Sequence, residues 1–215
     1  DSGEAAKVDM KYDQWGYENS RTLYDAFGSV ILIKTWVQDE RGNVIEQRKF
    51  GPDESLVSHD PIIEMAYDNR NIKTDVYKRD KRSRLRVHVH YVSNAYGDAE
   101  EEACTDSMNR PALDDDSYST IKQTWDDNGH VTSAYYIGTD GNPIGREQDS
   151  VAFIYYSHNS SGLVTEIKCL DANKNLHESD EYGAARVTVA YNDDDDITEV
   201  HRYDRNGKEI AQEAK

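Results

Sequence analysis

Seven aromatic residues, Tyr12, Trp36, Tyr67, Tyr91, Trp125, Tyr155 and Tyr191, punctuate the chain, and each is preceded by the same two-residue beat. Four residues before each ring stands an aliphatic side chain: Val8, Leu32, Ile63, Val87, Ile121, Val151 and Val187. Two residues before stand Met10, Lys34, Met65, Val89, Gln123, Phe153 and Val189, apolar in five of the seven. Side chains at i, i+2 and i+4 line one face of a strand, so each segment reads as a strand with one buried face that ends on a ring.

A turn signal follows the ring, clearest as Asp13-Gln14-Trp15-Gly16, Asp39-Glu40-Arg41-Gly42 and Asp126-Asp127-Asn128-Gly129. Asp closes an Asx turn and Gly takes the positive φ of a tight hairpin, so the chain reverses. A second strand returns as Val131-Thr132-Ser133, Val164-Thr165-Glu166 or Ile197-Thr198-Glu199, and runs into another Asp-led turn such as Asp25-Ala26-Phe27-Gly28 or Asp204-Arg205-Asn206-Gly207. The apolar residues Val164, Ile167 and Leu170, and then Ile197, Val200 and Tyr203, fall three apart, which predicts a bulge in these second strands. Ring spacings of 24, 31, 24, 34, 30 and 36 place insertions between hairpins, at Gly51-Pro52-Asp53, Asp114-Asp115-Asp116, Gly141-Asn142-Pro143 and Glu181-Tyr182-Gly183. The expected fold is all-β: about seven tandem antiparallel hairpin repeats in a twisted or coiled, solenoid-like sheet. It forms one domain over residues 1–210, with a frayed tail at 211–215. Val87, Val189, Tyr91, Trp125 and Tyr191 are expected to be largely buried on one face.

The pattern Tyr-Asp-x-x-Gly, then Val-Thr-Glu, then Tyr-Asp-x-x-Gly-Lys resembles the tandem YD-type repeats of bacterial surface and secreted proteins, including the RHS-like repeats. It is also similar to tryptophan-glycine and other short β-hairpin repeats. The dipeptide itself stands at Tyr12-Asp13, Tyr24-Asp25, Tyr67-Asp68 and Tyr203-Asp204. RHS-like repeats build large shells that enclose a toxin, and seven hairpins are too few to close one.

With 36% hydrophobic and 31% charged residues, the chain suits a thin layered form better than a thick globule. Its net charge of −17 repels phosphate backbones and anionic membrane surfaces, which argues against nucleic acid as a partner. No segment is apolar for long enough to insert in a membrane as a helix. The polar start Asp1-Ser2-Gly3-Glu4-Ala5-Ala6 fits a chain cut after an export signal or a lipid-anchor site, and equally a domain excised from a longer chain; the expected location is secreted, periplasmic or cell-surface. Cys104 and Cys169 lack a Cys-x-x-Cys spacing and read as small apolar fillers on second strands, a whole hairpin apart and unbonded.

No catalytic motif emerges: there is no Gly-x-Ser-x-Gly elbow, His-Glu-x-x-His helix or phosphate-cradling loop. His88 and His90 point to the same side of one strand and could hold a metal with a third ligand from a neighbouring strand, but the sequence identifies none, and Arg84 and Arg86 stand close by. The Asp193–Asp196 run and the Asp114–Asp116 loop read as turn chemistry that could bind calcium weakly. Asp171-Ala172-Asn173-Lys174-Asn175 starts like a calcium loop but continues with Leu176 where Gly is required. No cofactor and no dedicated metal site are expected. Trp15 in a turn, with Tyr136 and Tyr156 of the doublets Tyr135-Tyr136 and Tyr155-Tyr156, are the candidate ligand-binding rings.

The expected function is a non-catalytic binding or scaffold module that presents an acidic sheet face to a protein or glycan. The rivals are a carbohydrate- or cell-wall-binding module acting through those rings, and a hydrolase with a surface carboxylate pair. Oligomeric state is not legible from the residues.

Overall fold

The structure, a computed structural model, describes residues 5–57, 59–114 and 117–211. Asp115 and Asp116 of the acidic loop, the lead Asp1–Glu4 and the end of the expected tail lie outside the described residues. Fourteen strands follow in sequence: β1 (Lys7–Tyr12), β2 (Glu18–Tyr24), β3 (Val30–Gln38), β4 (Val44–Phe50), β5 (Ile62–Tyr67), β6 (Lys73–Arg79) and β7 (Leu85–Ser93). Then come β8 (Ala99–Thr105), β9 (Thr120–Trp125), β10 (Val131–Ile137), β11 (Phe153–His158), β12 (Val164–Leu170), β13 (Arg186–Tyr191) and β14 (Ile197–Tyr203). They form one antiparallel sheet in strict chain order, which is the tandem hairpin fold that the ring pattern implies. Among the described residues no helix is long and apolar enough to cross a membrane. The chain divides into two compact units: one runs to His90 and includes Asp106–Arg110, and the other holds Tyr91–Thr105 and the residues from Pro111 onward.

One turn recurs twelve times among the described residues, led by Asp13, Asp25, Asp39, Asp68, Asp80, Asn94, Asp106, Asp126, Asn159, Asp171, Asn192 and Asp204. In each, the leading Oδ1 accepts the backbone N–H groups two and four residues on, as Asp126 does from Asn128 and His130 at 2.9 Å. The fourth residue of the turn has positive φ, and Gly fills that place seven times. Asn71, Ser83, Asn109, Lys174 and Asp195 fill the others. The geometry is a type I turn followed by a bulge. The bulge takes the fifth N–H out of the ladder, and the leading side chain supplies its acceptor.

The bulges appear in the register. Thr165 is the extra residue in β12, because His158 pairs with Val164 and Ser157 with Glu166. Thr198 is its counterpart in β14. The bulge thus brings Val164 and Ile167 to one face, as the three-residue spacing predicts. Beyond it the strand is regular, so Leu170 turns to the other face.

Four links between hairpins make an excursion. At Lys49, Cys104, Tyr136 and Cys169 the backbone N–H donates to the carbonyl of Pro61, Ser119, Ala152 and Ala185 as the chain returns, at 2.7–3.0 Å. All four of those returning residues are buried. Cys104 and Cys169 therefore occupy equivalent sites, each buried and outside any disulfide, with β9, β10 and β11 between them in the strand order.

Successive hairpins are also tied at their tips. The pairings β4–β5, β8–β9 and β12–β13 each span three residue pairs and stop short of the turn. There the last side chain of the odd strand reaches the carbonyl of the first residue of the preceding even strand. Tyr67 Oη donates to Val44 O at 3.1 Å, Trp125 Nε1 to Ala99 O at 3.0 Å, and Tyr191 Oη to Val164 O at 2.9 Å. Gln38 makes the same bond to Glu18 O at 2.7 Å.

That position corrects three of the seven anchors. Trp36 and Tyr91 stand two residues before it, on the correct face. Tyr155 stands three before it, 41% exposed on the opposite face, while His158 takes the terminal place and Ile154 points inward against Cys169. The five residues expected in a buried row, Val87, Val189, Tyr91, Trp125 and Tyr191, are all half-buried and none is fully buried. Leu23, Val76 and Val89 are buried on the strands themselves, and where links fold over the sheet Tyr118, Tyr136, Val151, Ile154 and Cys169 pack together with Ile144 and Tyr182 of the links.

Two stability tests follow from the turns. Lys174 carries φ 65° where Gly serves best, so Lys174→Gly is expected to stabilise by about 1 kcal/mol in urea denaturation. Gly129→Ala should cost about the same, since its turn is open, whereas Gly162→Ala should cost more because the new methyl would strike the His130 ring. The second test is acid. The Arg84 guanidinium and backbone N–H groups hold Asp80 at about 2, and the His130 N–H does most to hold Asp126 at about 2. Unfolded carboxyls titrate near ~4, so the unfolded chain binds more protons below that value and these contributions are lost as pH falls from about 4 to 2. Asn already leads three of these turns, so a variant carrying Asp80→Asn and Asp126→Asn should keep the fold and show a shallower acid transition by circular dichroism.

Candidate binding surface

Cross-strand register sorts the side chains onto two faces. In the N-terminal unit, Met65, Val76 and Val89 are paired partners on the inner face. Their neighbours Glu64, Tyr77 and His88 are paired on the outer face, and Asp75 pairs there with His90. Outer-face acids are met by bases: Glu46 by Arg48 at 2.8 Å and Glu64 by Arg79 at 2.8 Å. Asp75 differs. Its Oδ1 lies 2.8 Å from His88 Nε2 and 2.9 Å from His90 Nδ1, and Tyr77 stacks on the His88 ring at 4.5 Å. Burial works against ionisation of Asp75, but the two imidazoles and Thr74 hold its carboxyl below the ordinary range.

The C-terminal unit repeats the scheme. Lys122 bridges to its cross-strand partner Glu101 at 2.9 Å, a bond that raises the Lys122 pKa. Glu166 meets Lys168 at 2.7 Å and Arg186 at 2.6 Å; burial opposes its ionisation, yet these two cations hold the carboxyl low. Between the ion pairs lie rings: Tyr135 stacks with Phe153 at 6.1 Å, and Arg186 sits 5.0 Å over Tyr203. The outer face of each unit is therefore a field of half-exposed, alternating charges with aromatic patches rather than a uniformly acidic surface.

The three predicted rings have different fates. Trp15 projects from the β1–β2 turn, 74% exposed, beside a groove of about 430 Å³ lined with Tyr17, Gln38, Asp39 and Glu40. A flat indole next to carboxylates and an amide can stack on a sugar face or a cation. Tyr136, expected to be exposed, is only 6% so, because the link to β11 folds over it; Arg146 lies 5.3 Å over its ring. Tyr156 is half-buried and its hydroxyl is 3.2 Å from that of Tyr182. Both serve the interior of their unit, which leaves Trp15 as the ring of the three that is presented to solvent.

A buried polar cluster went unread in the sequence. Arg146 grips Asp149 with two hydrogen bonds, Nη2 to Oδ2 at 2.6 Å and Nε to Oδ1 at 3.2 Å. Ser179 Oγ donates to Asp149 Oδ2 at 2.9 Å. This pins the link preceding β11 to the link preceding β13. Burial works against both charges, yet each holds the other ionised: the Asp149 carboxyl is lowered and the Arg146 guanidinium raised. Nearby burial pushes the Cys169 thiol up to about 12, far from the reactive thiolate range. The i, i+3 spacing of Arg146 and Asp149 is no signal in a loop, and Ser179 is thirty residues beyond Asp149.

No family model matches the chain, and no curated protein does. Among solved structures it is similar to "Crystal Structure of TcdB2-TccC3 without hypervariable C-terminal region", with a TM-score of 0.56 and 13% identity, over 86% of this chain and 9% of that one. Also matched are "Crystal Structure of TcdB2-TccC3-Cdc42" (TM-score 0.44, 10% identity, 94% of this chain and 12% of that one) and "Crystal Structure of TcdB2-TccC3-TEV" (0.46, 13%, 86% and 10%). The chain thus spans 9% of the first of these chains. At this identity the similarity is one of fold, that of tandem antiparallel β-hairpins.

The buried pair yields a mutational contrast. Asp149→Ala strands the Arg146 charge and should cost about 3 kcal/mol in urea denaturation, whereas replacing both residues, with Arg146→Met and Asp149→Leu, should cost markedly less.

Proposed function

We propose that the chain is a non-catalytic binding module of the secreted or cell-envelope space that engages a protein or glycan through the outer face of its sheet. The observation that carries this reading is the division of labour between faces. Inner-face residues pack against one another and the links, while the outer face carries the ion pairs Glu101–Lys122 and Glu166–Arg186 at the surface, beside a half-buried Tyr135 stacked on a buried Phe153. Surface ion pairs of this kind add little to stability, so their side chains can re-pair with a partner at small cost. Alternating charge gives specificity and orientation more than raw affinity. The Trp15 groove favours glycan as one class of ligand, since an exposed indole flanked by Gln38 and Glu40 suits a sugar ring.

The test is a binding screen of the purified chain against arrayed glycans and envelope proteins, followed by charge reversal with Lys122→Glu and Arg186→Glu, and by Trp15→Ala. A true ligand should lose about tenfold in affinity on reversal of the outer-face charges and weaken in roughly 0.5 M salt. For a glycan ligand held in the groove, Trp15→Ala should have the larger effect. Ligands indifferent to all three substitutions would defeat the proposal. So would turnover of a glycan or peptide that a single carboxylate-to-amide substitution abolishes.

A further inference from the structure

The outer-face pattern is broken at Asp75, and the break has the composition of a metal site. Elsewhere on that face Glu46, Glu64, Glu101 and Glu166 are each met by Lys or Arg. Such cations neutralise an acid but can ligate nothing. His201 meets Glu199 and Glu209 in the last hairpin, one imidazole between two acids. At Asp75 two imidazoles converge on one carboxylate oxygen, and the three ligand atoms lie within 4.8 Å of one another. The bulge that follows the Asp80 turn sets the phase of β7, so His88 and His90 both face Asp75 across the β6–β7 ladder. Tyr77 holds the His88 plane, with an angle of 6° between the two rings.

We propose that Asp75, His88 and His90 form a binding site for a divalent first-row transition metal, zinc being the best fit, with a fourth position open to solvent. Two neutral imidazoles and a carboxylate are the donor set of open zinc sites, with bonds of about 2.0–2.2 Å. Tetrahedral geometry at those lengths separates ligand atoms by about 3.3 Å. The two carboxylate–imidazole separations of 2.8 and 2.9 Å need to open by about half an ångström, and the two imidazole nitrogens, within 4.8 Å of each other, settle at the same distance, all within the reach of side-chain rotation. The neighbouring arginines do not stand as bare charges against a cation. Arg84 is bound to Asp80 at 2.6 Å and Arg86 to Asp60 at 2.8 Å. The side chains of Asp75 and His88 are about one-fifth exposed and that of His90 about half, so an ion can enter from solvent while two of its ligands stay fixed.

The test uses the full chain, stripped with a chelator and titrated with Zn²⁺ by calorimetry near neutral pH, and with Co²⁺ by absorption. One saturable zinc site per chain is expected, together with cobalt d–d bands of tetrahedral intensity and no thiolate charge-transfer band. His90→Ala, at the most exposed ligand, and Asp75→Asn should each weaken binding at least tenfold while circular dichroism shows the fold retained. The proposal is overturned if zinc binding is absent, if it survives both substitutions unchanged, or if a thiolate band places the ion at the Glu102, Cys104 and Asp114 group instead.

Discussion

The side-chain oxygen that opens each turn is what the rest of the architecture depends on. A type I turn followed by a bulge leaves two backbone N–H groups without a ladder partner, and an unmet donor is costly wherever water is excluded. Asp or Asn at the first position accepts both. With that bond in place the bulge is stable, the strand that follows shifts phase by one residue, and its apolar side chains come round to the inner face. The tip-to-tip bonds from Tyr67, Trp125, Tyr191 and Gln38 then catch the carbonyl that the bulge exposes in the preceding hairpin. Local satisfaction of the turn and cohesion between hairpins are thus two results of one arrangement.

A chain so poor in apolar residues makes its core from a single sheet and whatever can be laid over it. Where a link is long it supplies that cover, as Ile144, Val151 and Tyr182 do around Tyr136 and Ile154. The cover must itself be held down, and Arg146 with Asp149 and Ser179 holds it. A buried ion pair is a poor source of stability compared with apolar packing, but it ties two polar links together in a defined geometry.

Most of the fold was legible because the turn is a local device with a local signature. Asp-x-x-Gly marks it, and the period of two marks the strand before it. The signature changes at three hairpins. Asn159 opens its turn in place of Asp, and the doublet Tyr155-Tyr156 offers a ring to either face, so the ring pattern falls three residues short of His158. At Trp36 and Tyr91 the rings stand two residues before Gln38 and Ser93, which hold the terminal position. Site residues were less legible because their partners are not local. Asp75 is thirteen residues from His88 and fifteen from His90, on a strand whose phase depends on the intervening bulge. Tyr136 gave no sign of its cover, since which links fold inward depends on contacts such as Arg146 with Ser179.

Strict chain order of the strands has a kinetic and mechanical meaning. Every ladder joins segments that are near in sequence, so each closure encloses a short loop and loses little chain entropy. Any one hairpin can nucleate and its neighbours can add by zipping, with no distant strand to be awaited. Among the described residues the same order leaves β1 and β14 paired along one side each. Under tension applied to the two ends the ladder bonds would break in succession rather than together, and the chain would pay out hairpin by hairpin.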